Sequence, residues 1–182
     1  IATRHDSHGP YVLKCLEAGK NVFVEKPLCL LESEIDKIIA LQSKTNKAVM
    51  VGFNRRFSPL TTKLKKFIGN NPITMLYRVN AGFITSDNWI QDLQIGGGRI
   101  IGEVCHFIDY LTYLNGSLPT KVSACALTDA NQLNDTLNIL IQFENGSSGV
   151  VAYYSNGSKS MKKEYIEVFS GGMSAILNDF KE

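Results

Sequence analysis

The 182-residue sequence predicts an α/β chain in two parts. Residues 1–54 read as half of a helix-covered parallel sheet, and residues 55–182 as an open-faced antiparallel sheet with flanking helices. Three observations predict this. The first 53 residues run strand, helix, strand, helix, strand, the signature of a parallel sheet. The character changes after Asn54-Arg55-Arg56-Phe57, which sets the boundary. Beyond Asn115-Gly116 only strand patterns follow, and Asn145-Gly146 between two of them signals a hairpin.

The chain opens on Ile1-Ala2-Thr3 as though inside a strand, without an initiator methionine or a signal-peptide pattern, so a segment is expected upstream. Ser7 is expected to cap a helix with Pro10 in its first turn. Val12, Leu13 and Leu16 supply its apolar stripe, and Gly19 ends it. Asn21–Glu25 reads as a strand with Val22-Phe23-Val24 buried. Pro27 cannot donate to a ladder, so this strand stops there. Glu32–Lys44 is an amphipathic helix with Ile35, Ile38, Ile39 and Leu41 inward, and Ala48–Phe53 is the next strand.

A helix from Ser58 to Ile68 ends at Gly69-Asn70-Asn71-Pro72, and strand Ile73–Ala81 leads through Trp89 to Gly96-Gly97-Gly98. Helix 101–114 follows. Strands are then expected at Lys121–Leu127, Thr136–Phe143, Ser148–Tyr154, Glu164–Phe169 and Ser174–Leu177, with a turn at Gly171-Gly172. In Thr136–Phe143, Leu137, Ile139, Ile141 and Phe143 face the helices. Thr136, Asn138, Leu140 and Gln142 form a mixed second face, which Tyr153 and Tyr165 are expected to share. Such a half-apolar face fits an oligomer interface.

Hydrophobic residues make up 44% and charged residues 20%, enough apolar material for a core. A net charge of +2 points to neither nucleic acid nor an anionic membrane, and no apolar run approaches a membrane span. Cys15, Cys29, Cys105 and Cys125 show no paired spacing and read as reduced, buried hydrophobes of a cytoplasmic protein.

Lys26 is delivered at the carboxyl end of a strand, where open α/β sheets bind ligands; a solvated lysine beside Glu25 is the plainer reading. On helix 101–114, Ile101, Val104, Ile108 and Leu111 share one arc. Glu103, His106, Asp109 and Tyr110 share the other, with Phe107 and Leu114. That second arc is either a reactive site or a histidine held structurally by Asp109 or Glu103. Arg55 and Arg56 follow a strand end, where an arginine can hold an anion or a hydroxylated substrate or simply meet water. His5 and His8 are three apart, but no third ligand accompanies them and no metal is expected.

Ile1-Ala2-Thr3 with His8, Glu25-Lys26-Pro27, and Gly96-Gly97-Gly98 followed by His106-x-x-Asp109 resemble, over the whole length, the Gfo/Idh/MocA family of NAD(P)-dependent oxidoreductases. Asn54-Arg55-Arg56-Phe57-Ser58-Pro59 with Gly102-Glu103-Val104-Cys105-His106-Phe107 resembles its branch in bacterial surface-polysaccharide pathways, where the module is sometimes the second half of a two-domain oxidoreductase. Arg4 stands where that family has proline, and Gly102 where it has an aspartate, with Glu103 next door as a possible substitute. No Gly-x-Gly-x-x-Gly occurs, so the chain is expected to be a fragment of a Rossmann-type domain joined to a substrate domain.

The resemblance implies hydride transfer between NAD or NADP and a sugar or sugar-like hydroxyl. His106 would serve as acid–base, Lys26 would stabilise the oxygen, and Glu103 would assist. Thr3, His8, Glu25, Lys26 and Pro27 would line the nicotinamide; Arg55 and Asp109 would position substrate. From the residues themselves a homo-oligomer through the open sheet face is expected, with the fragment inactive alone and no nucleic-acid or membrane partner. Two rivals stand beside it: a non-catalytic sheet-mediated dimerisation or sugar-binding module, and a glycosidase that uses NAD transiently.

Overall fold

The computed structural model describes residues 1–128 and 134–182, in two units. The first comprises Ile1–Phe53 and Ser86–His106; the second comprises Asn54–Thr85 and Phe107–Glu182.

In the first unit, helix α1 (His8–Glu17) follows a 3-10 turn at His5–Ser7. That turn makes the helical geometry begin before Ser7, and the Ser7 hydroxyl donates to the Arg4 carbonyl instead of capping the helix. Strands β1 (Val22–Val24) and β2 (Val49–Val51) pair in parallel. Ile1 runs beside β1: its amino group donates to the Phe23 carbonyl and its own carbonyl accepts from the Glu25 N–H. Val12, Leu16, Val22, Val24 and Ile38 form the core, the last from helix α2 (Glu32–Thr45).

The expectation of a uniformly buried Val-Phe-Val is corrected here. Side chains alternate along a strand, and Phe23 lies 53% exposed, opposite Met50 of β2. Ile35 and Ile39 of α2 are likewise exposed, so Ile38 with the half-buried Leu41 carries that helix's packing.

Residues 86–106 belong to this unit. The Asp6 N–H donates to the Ile95 carbonyl, and the loop turns on Asp92, which accepts at its carbonyl from the Gly96 and Gly97 N–H groups. A Cβ at position 96 would lie 2.5 Å from the Ile90 backbone, and Gly97 and Gly98 have φ of +73° and +75°. Only glycine accepts both conditions. The loop then enters a π-helical turn, Ile100–Val104, which runs into helix α4 (Cys105–Asn115).

The second unit is a six-stranded sheet. Its strands are β3 (Thr74–Asn80), β4 (Pro119–Ala126), β5 (Leu137–Phe143), β6 (Ser148–Tyr154), β7 (Glu164–Ser170) and β8 (Met173–Asn178). The order is β4-β5-β6-β3-β7-β8. Pairing is antiparallel except at β3–β6, which is parallel because the long excursion after β3 returns the chain to its edge. Leu137, Ile139, Ile141, Phe143, Tyr77, Val79, Val151, Ile166 and Val168 are buried, as are Leu64 and Ile68 of helix α3 (Pro59–Ile68) and Phe107, Tyr110, Leu111 and Leu114 of α4.

Two packing expectations change. Tyr153 pairs with Leu137 and is buried on the core face; it is absent from the open face. On α4 the buried stripe is Phe107, Tyr110, Leu111 and Leu114, whereas Ile101 is 42% exposed. The wider π turn breaks the 100° phase on which the predicted arc depended. The cysteines are free thiols; Cys29 is buried, Cys15 and Cys105 are half-buried, and Cys125 is exposed on β4. Burial raises the Cys29 thiol to about 11, leaving it protonated and inert.

Candidate active site

The parallel pair β1–β2 ends where Glu25-Lys26-Pro27 and Gly52-Phe53 begin, so both strands deliver polar or aromatic groups at their carboxyl ends. Lys26 precedes a cis peptide bond to Pro27, and its ammonium donates to the Gly102 carbonyl in the π turn at 2.7 Å. Glu25 is exposed, and its carboxylate lies over Gly52, within 3.1 Å of where a Cβ would stand.

His8 is fully buried between two carbonyls, with Nδ1 2.7 Å from Pro27 O and Nε2 3.2 Å from Thr3 O. It therefore ties the turn after β1 to the Thr3 backbone. Thr3 itself is exposed, its hydroxyl 2.6 Å from that of Ser7. His106 stands one helical turn beyond Gly102, 8% exposed, in an edge contact with the Phe53 ring whose centroids are 5.8 Å apart. Glu103 pairs with the buried Arg99 at 3.1 Å, four residues back along the helix.

The first unit thus brings together Thr3, His8, Glu25, Lys26, Pro27, Glu103 and His106 around the carboxyl ends of β1 and β2 and the π turn. Arg55 and Asp109 belong to the second unit and are each engaged there. Arg55 makes a bidentate pair with Glu164 (2.7 and 2.6 Å), and the Tyr77 hydroxyl donates to the same carboxylate. Burial opposes the Arg55 charge, but Glu164 and Tyr77 outweigh it and hold its pKa above the ordinary value. Asp109 accepts two bonds from Arg56, which lies over the ring of Tyr113. The alternative in which Asp109 or Glu103 holds His106 therefore meets competing arginines at both carboxylates.

Sequence reasoning passed over His5, Trp89 and Glu164. His5 was weighed only as half of a metal pair, and among the described residues no group of three metal-ligating side chains forms. The Arg99–Glu103 spacing was readable as an i,i+4 pair; Glu164, 109 residues from Arg55, carried no local signal.

The description "Oxidoreductase family, NAD-binding Rossmann fold" matches residues 1–53, and "GFO/IDH/MocA C-terminal domain" matches residues 72–170, more than half of the chain. The chain belongs to the Gfo/Idh/MocA family. Its relatives include trans-1,2-dihydrobenzene-1,2-diol dehydrogenase of Mus musculus, 31% identical over 82% of this chain and 46% of the relative. Myo-inositol 2-dehydrogenase of Thermotoga maritima is 28% identical over 83% and 47%. The crystal structure of an NAD-binding protein from Listeria innocua superposes with a TM-score of 0.79 at 28% identity, over 99% of this chain and 54% of that one. The chain spans about half the length of the Gfo/Idh/MocA relatives it matches.

Proposed function

We propose that this chain supplies the nicotinamide end and the acid–base group of an oxidoreductase that moves a hydride between NAD or NADP and a hydroxyl of a sugar or sugar derivative. The observation that carries this reading is the Lys26–Gly102 bond. It pins a cation at the carboxyl end of a parallel strand, one helical turn from His106. The residues present fit the nicotinamide: Pro27 follows Lys26 directly, and His8 links the Pro27 and Thr3 backbones. They do not supply the pyrophosphate turn, because no Gly-x-Gly-x-x-Gly occurs in the sequence. The bound cofactor would accept or give the hydride. His106 would take or return the hydroxyl proton, its ordinary pKa lying near neutrality. Lys26 would stabilise the charge that develops on the oxygen. Glu103 tunes the turn through Arg99, and Arg55 and Asp109 set the substrate side of the second unit.

The substrate class, a sugar-like polyol, follows the relatives' names; the surface-polysaccharide branch is the finer reading. The open sheet face supports assembly with a second copy. Leu140, Val150, Leu76, Glu167 and Ile176 form one cross-strand row on it, with Leu140 49% exposed and Ile176 60%.

The test is an NADH fluorescence titration of residues 1–182 alone and of the same chain preceded by a β-α-β segment carrying the spaced glycines. Weak binding by the first, tight binding by the second and polyol-dependent reduction of NAD are expected. Tight binding by residues 1–182 alone would mean that the dinucleotide site lies elsewhere.

A further inference from the structure

We propose that His5 is a positioning residue for Lys26: it fixes the Gly96 loop and fills the space beside Gly102, so that the Gly102 carbonyl stays within reach of the ammonium. His5 is 7% exposed, and its Nδ1 lies 2.7 Å from the Gly96 carbonyl. A carbonyl only accepts, so Nδ1 carries the proton. The neighbouring Asp6 N–H donates to Ile95 at 3.0 Å, a second tie in the same direction.

The ring is held laterally by the edge contact with Trp89, centroids 4.9 Å apart at 72°, while the Arg4 guanidinium lies over that indole. Most telling is position 102. A Cβ there would stand 3.0 Å from Cε1 and 3.3 Å from Nδ1 of His5, and 3.5 Å from the Gly96 carbonyl oxygen. The volume that any side chain at 102 would need is therefore taken by the imidazole. Gly102 and His5 are complementary, and the carbonyl that receives Lys26 belongs to that same glycine.

Burial lowers the pKa of His5; the Gly96 bond opposes this, and Lys26 and His8 add to it. The ring is thus the neutral Nδ1–H tautomer at neutral pH, able to donate to Gly96 without placing a second cation beside Lys26.

The experiment reads the Lys26 environment directly and stands apart from the hydride-transfer reading. Residues 1–182 and three variants are acylated under limiting reagent, and modification of Lys26 is followed by peptide mass spectrometry, with the exposed Lys20 and Lys37 as internal references. His5→Asn keeps an N–H donor near the Nδ1 position. His5→Phe keeps a ring against Trp89 without the donor, and Gly102→Ala keeps the donor but displaces the ring. Lys26 should label several-fold faster in His5→Phe and Gly102→Ala, and at the wild-type rate in His5→Asn. Equal labelling across all four proteins, or His5→Asn labelling as fast as His5→Phe, overturns the proposal. Long-range proton–nitrogen NMR of the unaltered protein keeps the question open to refutation should a variant not fold. The neutral Nδ1–H signature is expected for His5, and an Nε2–H tautomer or an imidazolium at neutral pH refutes it.

Discussion

Arg55 and Glu164 face each other in a bidentate pair, both N–H···O distances under 3 Å, with side chains 16% and 11% exposed. Tyr77 donates to the same carboxylate, and Phe107 offers its ring face to the guanidinium at 5.1 Å. Arg55 is therefore a buttress of the second unit as well as a candidate for substrate.

Removing one partner of such a pair leaves a buried uncompensated charge, which costs about 3–5 kcal/mol. Glu164→Gln should lower the unfolding free energy of the second unit by that amount, read as a lower urea midpoint at unchanged slope. Arg55→Met with Glu164→Leu should recover most of the loss, since a buried pair contributes little over apolar residues of similar size. Urea unfolding of the three proteins decides: equal midpoints for single and double variants would mean the pair is not buried in solution.

A second prediction concerns assembly. The open face carries Leu140 and Ile176 in one cross-strand row, which runs from Ser123 of β4 to Ile176 of β8, with Phe169 exposed in the neighbouring row. Light scattering is expected to show a dimer or larger assembly for the unaltered chain and a shift toward monomer for Leu140→Lys. Monomers in both cases would remove the sheet face as an interface.

Local periodicity made most elements legible. The hairpin β5–β6 turns at Asn145-Gly146 as its sequence demands, with Gly146 at φ +84°. Leu137, Ile139, Ile141 and Phe143 point inward on strict alternation. What stayed hidden depends on partners far away in sequence. Tyr153 shares a face with Leu137 only because β5 and β6 pair in that register, and β3 lies parallel to β6 with no local sign of it. Phe23 is apolar but alternates outward. At the site, Glu25-Lys26-Pro27 was visible as a strand end, and the Gly102 carbonyl that receives Lys26 was not, because a main-chain acceptor leaves no mark in a sequence.

The third prediction concerns pH and stability in the first unit. Burial, the dominant cause, lowers His5 from 6.5; Lys26 and His8 act in the same direction, while the Gly96 carbonyl and Asp6 oppose. The unfolded chain then binds its proton first as pH falls through about 6.5. Stability is flat above that point on this account and declines below it, until the folded imidazole also protonates. Chemical unfolding measured from about pH 7.5 down to about pH 5.5 should show that decline, reduced in His5→Asn. An identical slope in the variant assigns the dependence to other groups.

The last prediction separates the two central side chains of the proposed chemistry, in the chain preceded by a glycine-bearing β-α-β segment. Lys26 is held by the Gly102 carbonyl and would contribute charge; His106, one turn on, packs against Phe53 and would move the proton. Lys26→Met should depress turnover at every pH, since it removes the charge that would stabilise the oxygen and leaves the proton-transferring histidine in place. His106→Asn should depress it by about 10²–10⁴, or about 3–5 kcal/mol of barrier, and should also flatten the pH profile near neutrality. Neither side chain belongs to the apolar stripe Phe107, Leu111 and Leu114, so melting temperatures should stay close to that of the unaltered protein. Steady-state rates from acid to alkaline pH make the comparison. Near-normal turnover with an unchanged profile in His106→Asn would make that histidine structural. The proton would then have to leave through another group of the same unit, for which Glu103, paired with Arg99, is the nearest carboxylate in sequence.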